Sequence, residues 1–171
     1  MSTAPQTASI SLVELLAVNE TETRHWHEWL KAQPATLLDL PTAIAGTGSV
    51  RQLVLHIFAV ELRYAERLLD HPDVTSYEAL PTGTVDELFG IGERAREMLR
   101  EYIGKASPED LTRVIEFPTR SAGTLRASKR KCFAHAMLHG VRHWAQLAVV
   151  LREAGSPTNW HHDLLMTPVI E

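Results

Sequence analysis

Three times along the chain, a Ser or Thr is followed three residues later by Glu or Gln, with apolar residues beyond at helical spacing. The segments are Ser11-Leu12-Val13-Glu14, Ser49-Val50-Arg51-Gln52 and Thr84-Val85-Asp86-Glu87. In such a capping box the hydroxyl accepts from a free backbone N–H and the Glu or Gln side chain reaches back, so each pattern predicts a helix start. The second segment places Leu53, Ile57, Val60, Tyr64 and Leu68 on one stripe, the mark of a helix with one buried face. His71-Pro72 is its predicted stop, because proline disfavours helical geometry in the residue before it. The third helix should end near Gly104. A last long helix is predicted from about Ser128 to Ala154, closed by Gly155 and Pro157. Between these, Ser107-Pro108-Glu109-Asp110 reads as a single turn. Val114, Ile115 and Phe117 lack helical spacing and suit a small β-hairpin, closed near Ser121-Ala122-Gly123. The expected fold class is all-α: a four-helix bundle with a small β-hairpin before the last long helix. The segment from Cys132 to Leu151 is apolar nearly all round, so it is expected to be central. The tail, residues 156–171, is expected to dock on the bundle through Trp160, Leu164 and Leu165, leaving His161 and His162 exposed.

Composition narrows the function classes. At 171 residues the chain is expected to form a single domain, 1–171. Its 44% hydrophobic content is enough to offset chain entropy, which excludes disorder as the main state. A formal charge of −4 argues against nucleic acid and against acidic membranes as partners. One cysteine, Cys132, cannot form an internal disulfide. Met1–Ala8 lacks the basic start and apolar run of a signal peptide, and Cys132–Leu151 holds too many polar groups to span a membrane. A cytoplasmic protein is expected.

Of nine histidines, three stand at His135, His139 and His143. A step of four residues overshoots a full helical turn by about 40°, so adjacent members share one face. Such a pair can bind one metal ion with both imidazoles. His56 falls between Leu53 and Val60 in the second helix, where packing alone would favour Leu or Ile. Burying an imidazole without a partner costs about 1–3 kcal/mol, and a shared ion removes that cost. Neutral imidazole suits Zn, Ni, Cu or Fe(II). Spacing leaves open the alternative of core or surface histidines with ordinary hydrogen-bond partners. The eight-residue span from His135 to His143 is awkward for one ion, so His135 reads as an outer or substrate-facing group. Gln146 lies on much the same side as His143.

The residues around these histidines resemble a known family. His56 in a long second helix, then Ala136-Met137-Leu138-His139-Gly140-Val141-Arg142-His143-Trp144-Ala145-Gln146, then Leu151-Arg152-Glu153-Ala154-Gly155, are similar to the DinB/YfiT family, whose members are read as metalloenzymes. The family pattern has one His in the second helix and a later His-x-x-x-His-Arg-Gly-Gln, followed by Leu-Arg-x-x-Gly. The resemblance implies a four-helix bundle with a long crossover connection, often a homodimer. It implies His56, His139 and His143 as ligands of one divalent transition metal ion, Ni or Zn. Trp144 and Ala145 depart from the family's Arg-Gly, and Gln146 matches.

Two readings of function follow. One is a metal-dependent enzyme acting on an unknown small-molecule substrate. It would activate water or a low-molecular-weight thiol, as a hydrolase or thiol-dependent transferase, with His135, Gln146 or Glu61 near the site. The other is a non-catalytic helical-bundle protein that binds a metal or small molecule and dimerises. Other features are expected to be bland. Glu22-x-x-His25 lacks the second copy that a di-iron site needs, and His27-Glu28 does not extend to a metalloprotease helix. His25, Trp26, His27 and Trp29 are expected on a helix with mixed faces, one of whose histidines can approach the site. Arg120, Arg126, Lys129, Arg130 and Lys131 read as a solvated basic face.

Overall fold

The computed structural model describes residues 9–71, 77–80, 82–119 and 122–170. Five α-helices are present among the described residues: α1 (Leu12–Lys31), α2 (Val50–Leu68), α3 (Val85–Lys105), α4 (Pro108–Thr112) and α5 (Lys129–Glu153). Two strands, β1 (Val114–Pro118) and β2 (Thr124–Ser128), pair antiparallel with Phe117 opposite Leu125. The segment Met1–Ala8, and Pro72, Arg120 and Ser121, lie outside the described residues.

Local chemistry sets the helix ends. Full capping boxes open α1 at Ser11 and α3 at Thr84. At Ser49 the box is only half made: the hydroxyl accepts from Gln52 N, but the Gln52 side chain accepts from Gly48 N at 2.6 Å instead. The end of α2 comes before His71. Asp70 adopts the left-handed region at φ 58°, and His71 N–H returns to the Glu66 carbonyl at 3.0 Å, which closes the last turn.

Packing fixes the direction of each long helix. One core cluster joins Trp26 and Leu30, late in α1, with Val50–Phe58, Leu88, Phe89 and Trp144–Leu151. The other joins Leu16, early in α1, with Ala65, Leu68, Leu99, Tyr102 and Cys132–Met137. Thus α1 and α5 run one way, and α2 and α3 run the other. Two parallel neighbours, α2 and α3, require the connection 69–84 to return along the bundle over about 28 Å. This is the long crossover. α1 packs on α3 and α5, diagonal to α2.

The central helix is α2, not α5. Thirteen of its residues are buried and they surround its axis. By contrast α5 leaves Leu138, Val141 and Val149 exposed along one stripe. The apolar count of Cys132–Leu151 was therefore a poor guide to its position. Lys129 also departs from expectation. It is fully buried, donates to the Leu68 carbonyl and sits 2.9 Å from Asp70 Oδ2, tying the start of α5 to the end of α2.

Between the two clusters lies a buried polar layer. Glu61 is fully buried and pairs with Arg96 at 3.1 Å. Asn19 Nδ2 donates to the Met137 carbonyl at 2.7 Å. Gly140 is required here, since a Cβ would stand 2.9 Å from Glu61 Oε1. The tail docks through Trp160, which packs on Trp26 and donates to Glu22 Oε2 at 3.1 Å. Leu164 and Leu165 stay exposed. His162 is held by Glu22 and stacks on Trp26, so it is engaged rather than free.

Candidate metal centre

The antiparallel packing of α2 on α5 brings His56 against His139 and His143. The His56 ring lies 5.0 Å from that of His139 and 5.1 Å from that of His143. One nitrogen from each of the three falls within 4.8 Å of the other two. His139 and His143 are buried and His56 is partly so. It sits at the edge of the α2 stripe and faces a cavity, rather than in the stripe's centre.

The Nε2 atoms of His139 and His143 are 3.1 Å apart. Two metal–nitrogen bonds of 2.0–2.1 Å, at angles between octahedral and tetrahedral, separate their nitrogens by about 2.8–3.4 Å. The pair is thus spaced for one ion. The hydrogen-bond inventory agrees. Arg142 Nη2 also points at His143 Nε2, at 3.2 Å. That nitrogen has one lone pair, so it cannot accept fully from both neighbours. The Nδ1 atoms of both histidines are buried without a hydrogen-bond partner. The crowded Nε2 atoms, which share too few lone pairs and protons for their contacts, fit a cation among them.

Electrostatics keep the imidazoles ready as ligands. Burial, then the neighbouring histidines and Arg142, push His139 down to about 2. Burial and His56 lower His143 to about 4, while Gln146 acts the other way. Both are neutral at neutral pH, the form that binds metals. Gln146 Oε1 is itself buried and unpartnered, so Gln146 is the residue placed to orient the His143 ring. On the α2 side, Glu78 Oε1 lies 3.8 Å from His56 Nδ1 and Glu78 pairs with Arg63.

The three histidines open onto a cavity of about 740 Å³. His135 lines it and does not join the ligand set, with its ring 5.8 Å from that of His139 and 5.0 Å from that of Tyr64. The hairpin forms the outer wall through Pro118, Thr119 and Leu125. It is anchored by Phe117, which is buried and packs on Tyr64.

Other expected neighbours are elsewhere. Glu61 is not among the cavity's lining residues and is committed to Arg96. His27 bonds Asp86 and stacks on Phe89, and His25 packs on Trp160, so neither approaches the site. Trp144, which replaces the family's Arg, is fully buried and stacks on Trp26 at 5.3 Å. The cavity arginines Arg63, Arg67 and Arg142 were missed. Their spacing carried the signal: Arg63 and Arg67 follow His56 at seven and eleven residues on one face of α2, and Arg142 adjoins His143.

The family model described as the DinB family matches residues 1–167. No curated protein matches the chain.

Proposed function

The chain belongs to the DinB family, and from that premise we propose that it is a metal-dependent enzyme of the hydrolase or thiol-dependent transferase class. His56, His139 and His143 would hold one divalent ion, with Ni or Zn the best match to three neutral imidazoles. The observation that carries the reading is a three-histidine cluster at the wall of an open cavity, with no fourth His, Cys, Asp or Glu in the group among the described residues. A purely structural site is closed by a fourth protein ligand, whereas a catalytic one keeps a position open. An ion held there supplies Lewis acidity, which lowers the pKa of a water or thiol that reaches it.

The chain's own residues do the rest. Gln146, the neighbour that acts on His143, would orient its ring. Tyr64, Val60 and the hairpin wall the cavity onto which the histidines open. His135 stands on the cavity wall within reach of a bound molecule and is the group available to exchange a proton. The non-catalytic alternative predicts a closed, inert site. Cobalt(II)-loaded protein separates the two, because its visible absorption reports ligand exchange. A band shift on adding 2-mercaptoethanol or azide, absent in His143→Ala, is expected. An unchanged spectrum in fully loaded protein would refute an open site. We also infer a homodimer that covers the α5 stripe of Leu138, Val141 and Val149. Sedimentation equilibrium tests it, and a monomer at all concentrations would refute it.

A further inference from the structure

The cavity beside the histidines has a marked charge bias. Its lining includes Arg63, Arg67 and Arg142 and no aspartate or glutamate among the described residues. Arg63 is neutralised by Glu78. Arg67 has no carboxylate partner among the described residues: one Nη donates to the Pro118 carbonyl at 2.9 Å, and its Nε is buried without an acceptor. The guanidinium lies over the rings of Phe117 and Tyr64, at 4.5 and 5.2 Å, so aromatic faces hold it in place. Arg142 spends a hydrogen bond on His143 Nε2, the same lone pair that a metal ion would take. An ion at the histidines and this hydrogen bond therefore compete, and occupancy by one frees the other. A guanidinium fixed on the cavity wall by aromatic faces, with no carboxylate paired to it among the described residues, is a costly arrangement unless an anion completes it.

We propose that the cavity selects a small molecule carrying an oxyanion, a carboxylate or phosphate, held by Arg67 and Arg142 with its reactive end toward His56, His139 and His143. This rests on the metal reading for the reactive end, while the anion subsite belongs to the arginines. Arg67 and Arg142 are thus specificity residues rather than catalytic ones.

Isothermal titration of zinc-loaded protein with succinate, inorganic phosphate and neutral succinamide tests this. Metal content is measured on every sample. Succinate or phosphate should bind and succinamide should not, and the better of the two identifies the oxyanion. Arg67→Gln and Arg142→Gln should each weaken anion binding by about tenfold or more with zinc retained. Arg67→Lys should restore part of it, and Arg100→Gln, on a different cavity, should change nothing. Equal affinity in the arginine variants, or no anion binding by zinc-loaded protein, would overturn the proposal. Anion binding that depends on Arg67 in protein unable to hold zinc would uphold the subsite while removing the metal reading.

Discussion

Metal affinity at this site should depend weakly on pH, and the size of the effect follows from burial. Protons compete with a metal for imidazole. A histidine of ordinary pKa, about 6.5, lowers apparent affinity by about 25-fold between pH 7 and pH 5, and three such ligands lower it by about 10,000-fold. Here His139 is held down to about 2 and His143 to about 4. At pH 5 both remain at least about nine-tenths neutral, so together they cost almost nothing. Only one ligand, His56, is then left to compete for a proton, and a single competing proton lowers affinity by at most about 100-fold over two pH units. Competition against a chelator of known pH-dependent affinity, at pH 7, 6 and 5, measures this directly. A fall of about 1,000-fold or more would refute the reasoning, since it requires that at least two ligands titrate as exposed histidines do.

The same depressed values make metal-free protein acid-sensitive. The unfolded state takes up protons on these histidines below about pH 6.5 and the folded state does not, so their stabilising contribution is present above that pH and is lost as pH falls toward 4. The loss is about 3 kcal/mol for each histidine, so on the order of 6 kcal/mol for the two together, and urea midpoints that stay level across this interval would contradict it. Gln146→Leu should weaken metal binding by about 10–100-fold without changing the count of ions at saturation, as read by chelator competition. Gly92→Ala should destabilise, although alanine usually favours a helix by about 1 kcal/mol. Its Cβ would stand 2.5 Å from the fully buried Phe58 ring, and overpacking costs about 1–3 kcal/mol. A raised thermal midpoint would show that Phe58 can move aside.

The helices were legible because their ends are written locally. Ser11, Thr84, Ser107 and Ser128 each cap the helix that follows, and capping needs only neighbours in sequence. The hairpin was legible from the loss of helical spacing around Val114–Phe117. The histidine pair on α5 was legible because four-residue spacing fixes one face, and His56 because an imidazole interrupted an apolar stripe. What sequence hid depends on partners far along the chain. Lys129 reads as surface charge until Leu68 and Asp70 are placed beside it. Glu61 reads as a loose carboxylate until Arg96 arrives from α3. The exposed stripe of α5 is apolar in composition, and only the packing order of α2, α3 and α1 shows which side is left uncovered. The cavity arginines lay on the same faces as the histidines, but their role emerges only once the hairpin closes over them.

The central claim is that His56, His139 and His143 together hold one ion. The direct measurement is elemental analysis of untagged protein, loaded with zinc or nickel and passed through a desalting column, beside His139→Ala treated the same way. The account predicts about one ion per chain in the parent protein and loss of it in the variant, with the helical circular dichroism of both alike. No retained metal in the parent, or equal retention in the variant, would contradict it.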